Sequence, residues 1–172
     1  MITLTVVFHL LFLGCMAWAA VTDLLTFRIF NSLIVTLLAG FVAWALVEGL
    51  LFSSTGLATL GWHVLASLAA FALFLVFYII GQMGAGDVKL IAATALWFGW
   101  HPVTLNYILY AMIAGGVLTV LLYGWRKLPL SEAASKVRFI KRLHVRRLKT
   151  PYGITLGLTA AYLSFQSPTF IN

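Results

Sequence analysis

Leu105–Trp125, LNYILYAMIAGGVLTVLLYGW, runs for 21 residues without a charged side chain. About 20 apolar residues in a helix cross the hydrocarbon core of a bilayer. The stretch therefore reads as a membrane helix. Five similar runs accompany it: Leu4–Thr22, Leu33–Phe52, Trp62–Ile80, Val88–Trp100 and Tyr152–Phe165. Val88–Trp100 and Tyr152–Phe165 are short for a perpendicular crossing, so they are expected to be shallow, tilted or interrupted. The composition agrees: of 172 residues 63% are hydrophobic and 9% charged, with 13 Phe, 6 Trp and 6 Tyr. Soluble domains carry about 25% charged residues, and disordered chains are poor in aromatics. Both classes are excluded. The expected fold is all-α: a polytopic membrane protein of about six transmembrane helices with no large soluble domain, a single membrane-embedded unit over 1–172.

The basic residues orient it. Arg28 lies between the first and second runs, Lys89 just after the third, and the other nine of the 11 Lys and Arg between Arg126 and Lys149. Cytoplasmic loops collect Lys and Arg. The odd connections are then cytoplasmic, and both termini lie on the opposite side. The net charge of +7 is accordingly one-sided. No nucleic-acid recognition module surrounds it, so nucleic acid is not expected as a partner. Anionic lipid headgroups fit the basic connection at about 126–150 better, with Lys136–Lys149 lying on the surface as an interfacial helix. No Lys or Arg precedes Arg28, so the first run lacks the basic start of a secretory signal and is expected to be retained. The lone cysteine, Cys15, reads as a small apolar residue within a span. Trp62, Trp97, Trp100 and Trp125 fall near span ends, as interfacial aromatics do.

Acidic residues are few: Asp23, Glu48, Asp87 and Glu132. Both aspartates sit where apolar runs meet odd connections, on one face of the membrane. An ionisable group there is costly and points to function, although Asp23 as a helix end and Asp87 as an N-cap would be an ordinary structural account. The surroundings of Asp87 favour function. In Gly84-Ala85-Gly86-Asp87-Val88-Lys89-Leu90 two glycines remove side-chain bulk beside a carboxylate that opens a helix, so an extended peptide can approach. Two nearby carboxylates sharing a proton can activate water. His9, His63, His101 and His144 lie on separate segments without ligand spacing, and neither H-E-x-x-H nor G-x-S-x-G occurs. No metal or cofactor is implied.

These segments resemble the type IV prepilin peptidases, membrane aspartyl proteases with a GxGD motif. The second aspartate motif is whole, as Gly84–Leu90, GAGDVKL. The first, D-x5-I-P-N in the family, is similar to Asp23-Leu24-Leu25-Thr26-Phe27-Arg28-Ile29-Phe30-Asn31, with Phe30 in place of proline. Pro151-Tyr152-Gly153-Ile154 is similar to the stretch that opens the family's last helix. The chain has neither an N-terminal cytoplasmic domain nor paired cysteines, and in this it looks like the short CpaA/TadV-like subgroup serving Flp or Tad pili; the archaeal preflagellin peptidases share both aspartates.

The resemblance implies a leader peptidase, not a methyltransferase, with Asp23 and Asp87 catalytic. Gly84 and Gly86 would shape the loop for substrate approach, and Asn31 would cap or hydrogen-bond the turn after Asp23. The implied substrate is a pilin-like precursor whose short basic leader is cut, usually after Gly, on the cytoplasmic side of its apolar helix. Many such precursors carry a Glu soon after the cut. Lys89 is the nearest basic residue to receive it, or alternatively snorkels to headgroups. Two readings from other classes stay open: a proton-coupled carrier using Asp23 and Asp87 as proton sites, and a purely structural subunit. The first is expected to show paired internal repeats, and the second leaves the GAGD loop without a role.

Overall fold

The computed structural model describes residues 2–48, 56–127 and 150–171, and the apolar runs fold there as helices. Among these residues there are seven helices and no strand: α1 (Ile2–Thr26), α2 (Asn31–Val47), α3 (Leu57–Ile79), α4 (Ala85–Phe98), α5 (Pro102–Trp125), α6 (Tyr152–Ser164) and the single turn α7 (Pro168–Ile171). By length and composition α1, α3 and α5 can cross a membrane. α2, α4 and α6 are shorter, at 17, 14 and 13 residues. The basic segment, with the surface helix expected over Lys136–Lys149, lies outside the described residues apart from its two ends.

The short α4 is the centre of the molecule. Every residue from Leu90 to Phe98 is buried, and a helix that is apolar on all sides belongs inside. Its alanines let α3 come close, and Ser67 Oγ of α3 donates to the Ala92 carbonyl at 2.9 Å. α4 stops at Gly99, where φ is +69° and an added Cβ would meet the His63 ring at 2.9 Å. His63 Nδ1 donates to the Leu96 carbonyl beside it at 2.8 Å. Pro102 then opens α5.

The central place of α4 overturns one expectation. Trp97 is not an interfacial aromatic but a fully buried one, packed among Phe12, Phe41, Trp44 and Phe170. Its Nε1 donates to the Leu37 carbonyl at 3.1 Å. The end of α4 is covered by α1, α2 and α7, so lipid does not reach it. Trp62 and Trp100 are exposed, with ring centroids 6.1 Å apart. Cys15 is buried and free in α1.

Contacts between helix ends fix the topology. At one end Gly153 bonds Asp23, Lys89 bonds Asn31 and Thr119 bonds Tyr152. At the other, His9 bonds Ser164, His63 bonds Leu96 and Thr169 bonds Trp97. The ends of α1, α3 and α5 and the starts of α2, α4 and α6 therefore gather at one end, the end that carries both aspartates.

Candidate active site

Asp23 lies in the last turn of α1, not in the connection that follows. Leu24 and Leu25 continue the apolar pattern, and Thr26 Oγ1 donates to the Thr22 carbonyl at 2.6 Å, so the helix runs one turn past Thr22. It closes at Phe27, whose N–H donates to the Asp23 carbonyl at 2.8 Å and whose φ is +55°. A non-glycine residue rarely adopts that angle, and such strain concentrates near functional sites.

The Asp23 side chain turns inward and is 4% exposed. Its Oδ2 accepts the Gly153 N–H at 2.6 Å. Gly153 is the second residue of α6, and amides of a first helical turn have no partner within their own helix. A carboxylate satisfies such an amide and complements the positive end of the helix dipole. The approach requires glycine, since a Cβ at 153 would stand 2.7 Å from Asp23 Cβ and 2.9 Å from its Cγ. The sequence alone does not mark Gly153 as a site residue. Pro151-Tyr152-Gly153 was the available signal, but the role belongs to a backbone amide that no side chain announces.

Asp87 is the third residue of α4, not its N-cap. Gly84 takes the N-cap position in extended conformation, and its N–H donates to Asp87 Oδ2 at 3.1 Å. That back-bond is the carboxylate half of a capping box. Asp87 is 9% exposed. A Cβ on Gly84 would lie 2.8 Å from the same Oδ2, so this glycine keeps room for the carboxylate. Gly86 serves a different contact: its Cβ would lie 3.0 Å from Ile29 Cβ. Its bareness lets the turn after Asp23 rest on the first turn of α4.

Asn31 and Lys89 join the same two segments. Lys89 Nζ donates to Asn31 Oδ1 at 3.1 Å, on the exposed side of the loop. Asn31 is thus the first residue of α2 and ties it to α4. It does not cap the turn, because Phe30 is the N-cap and makes no side-chain capping bond. Phe30 has φ −77° and ψ 140°, angles that proline adopts without strain.

Among the described residues no group of three or more His, Cys, Asp or Glu could hold a metal ion. His144 lies outside them. The arrangement offers two buried carboxylates at one end of the bundle, each held by a glycine amide. Such groups can exchange protons with water and with a peptide bond.

Comparison with curated proteins and with solved structures found no match. The profile of the type IV leader peptidase family, in contrast, matches residues 10–120. That span holds Asp23, Ile29, Asn31 and all of Gly84–Leu90, while Pro151-Tyr152-Gly153 lies beyond it. With both aspartate segments inside a match that covers well over half of an all-helical membrane chain, the protein belongs to the type IV leader peptidase family.

Proposed function

We propose that the chain is an aspartyl endopeptidase, one membrane-embedded peptidase domain over 1–172. It removes the short leader from type IV pilin-like precursors of the Flp or Tad kind at the cytoplasmic face of the inner membrane. The observation that supports this reading best is the joining of the two aspartate segments. Gly86 lies against Ile29, Lys89 bonds Asn31, and both carboxylates are buried at the same end. A carrier has no evident need for a glycine that exists to admit the other motif.

In the proposed reaction one carboxylate, ionised, takes a proton from water as the water oxygen attacks the scissile carbonyl. The other, protonated, hydrogen-bonds that carbonyl oxygen and then delivers its proton to the departing amine. The Gly153 and Gly84 amides hold the two carboxylates in orientation. Lys89 uses one donor on Asn31, and an ammonium has three, so a Glu just after the cut can still be met there. Nine basic residues between Arg126 and Lys149 would repel a basic leader, and they bind anionic headgroups instead. Both termini are assigned to the side opposite the active site.

Co-expression with an Flp-type precursor tests the reading. The precursor should lose the mass of its leader, with a new N-terminus just before its apolar helix. An unprocessed precursor beside a correctly inserted enzyme would count against the proposal.

A further inference from the structure

The amide that holds Asp23 has no rotamer by which it could be re-aimed. A backbone N–H points where its turn points, so the 2.6 Å bond from Gly153 is only as well placed as the first turn of α6. That turn lies between two helices. On one side Gly153 and Gly157, one helical turn apart, bring the bare backbone of α6 against α1, where a Cβ at 157 would stand 2.6 Å from the Met16 carbonyl oxygen. On the other side the same turn presents Tyr152 to α5, a helix that carries neither aspartate.

Tyr152 is seated on α5 in two ways. Its ring lies on Gly115, where an added Cβ would meet Cδ1 and Cε1 at 2.8 Å. One turn further along α5, Thr119 Oγ1 lies 3.1 Å from the Tyr152 hydroxyl. Thr119 gives its one hydroxyl proton to the Gly115 carbonyl, 2.8 Å away, so the tyrosine is the donor between them. The seat is specific to one glycine of the pair, because Gly116 has no atom within 4 Å of its Cβ position.

We infer that Tyr152 is a positioning residue for the cleavage reaction: seated on Gly115 and Thr119, it sets the pose of the first turn of α6 and, through the Gly153 amide, the place of the Asp23 carboxylate. The inference rests on the peptidase reading above. It gives α5 a part in the chemistry although that helix supplies no carboxylate.

Steady-state cleavage of a purified precursor tests this, with kcat counted per folded enzyme. Tyr152→Phe and Thr119→Val each remove the hydroxyl contact and change little volume. In both, kcat should fall about threefold to tenfold, the weight of one ordinary hydrogen bond, with KM unchanged. Thr119→Ser keeps the hydroxyl and should retain the wild-type kcat. Gly115→Ala must displace the ring by about 0.6 Å to reach ordinary contact and should lower kcat about tenfold, while Gly116→Ala should leave it unchanged. A double-mutant cycle separates positioning from packing: in a Gly153→Ala background, Tyr152→Phe should lower kcat no further. An unchanged kcat in Tyr152→Phe, a rise in KM in its place, or a loss that multiplies with that of Gly153→Ala would overturn the inference. Failure of the wild-type enzyme to cut any precursor would instead overturn the peptidase reading itself.

Discussion

Gly153→Ala adds one methyl group at the point where α6 meets Asp23. An ideal Cβ there stands 2.7 Å from Asp23 Cβ and 2.9 Å from Cγ and Oδ2, whereas ordinary contact begins at 3.4 Å. Something must yield by about 0.7 Å. Asp23 is buried in the last turn of α1, so the displacement falls on the carboxylate and on its 2.6 Å bond to the amide. A misplacement near 1 Å at a reacting group costs on the order of 10²-fold in rate. Cleavage by Gly153→Ala should therefore fall about a hundredfold, with insertion and helical content retained. Gly61→Ala is the control. No atom lies within 4 Å of its Cβ, and alanine in a helix interior gains about 1 kcal/mol over glycine. Its cleavage rate should stay at the wild-type level. Time courses of precursor processing in membranes adjusted to equal enzyme content provide the comparison. Wild-type processing by Gly153→Ala would show that the contact does not position Asp23, and the role given to α6 would fail.

Phe30→Pro should be tolerated and should raise stability by about 0.4–1 kcal/mol, because the backbone already holds proline-like angles; thermal unfolding in detergent measures it. Trp97→Phe should lower stability by about 1–3 kcal/mol in the same assay, since it removes a buried hydrogen bond to the Leu37 carbonyl along with packing volume. Lys89→Glu should process a precursor with Glu after the cut poorly and recover on one with Lys there. If the swap rescues nothing while Lys89→Ala cleaves normally, Lys89 serves only its bond to Asn31.

The helices were legible because a bilayer demands long apolar runs, and the alternation of those runs put Asp23 and Asp87 at the same end of the bundle. The place of α4 was not. A helix shielded by other helices and a helix facing lipid carry the same apolar side chains, so Val88–Trp100 looked like a short span and Trp97 like an interface marker. The site shows the same division. Asp23, Asp87, Gly84 and Gly86 are recognisable from residue type and spacing. The contacts that hold the two carboxylates are not, because both come from backbone amides, and the bond that joins Lys89 to Asn31 across 58 residues leaves no mark in the spacing either. Even Asp87 was misplaced by three positions in its helix, since a carboxylate at either the N-cap or the third residue can satisfy a first-turn amide.

The central claim is that Asp23 and Asp87 act together on one peptide bond. Asp23→Asn and Asp87→Asn each keep side-chain shape and an oxygen for the glycine amide while abolishing the exchangeable carboxyl proton. Single-turnover cleavage of a purified precursor, with excess enzyme in lipid nanodiscs, reads the chemical step directly. Both variants should bind the precursor and release no leader. Cleavage at the wild-type rate by either variant would contradict the two-carboxylate account.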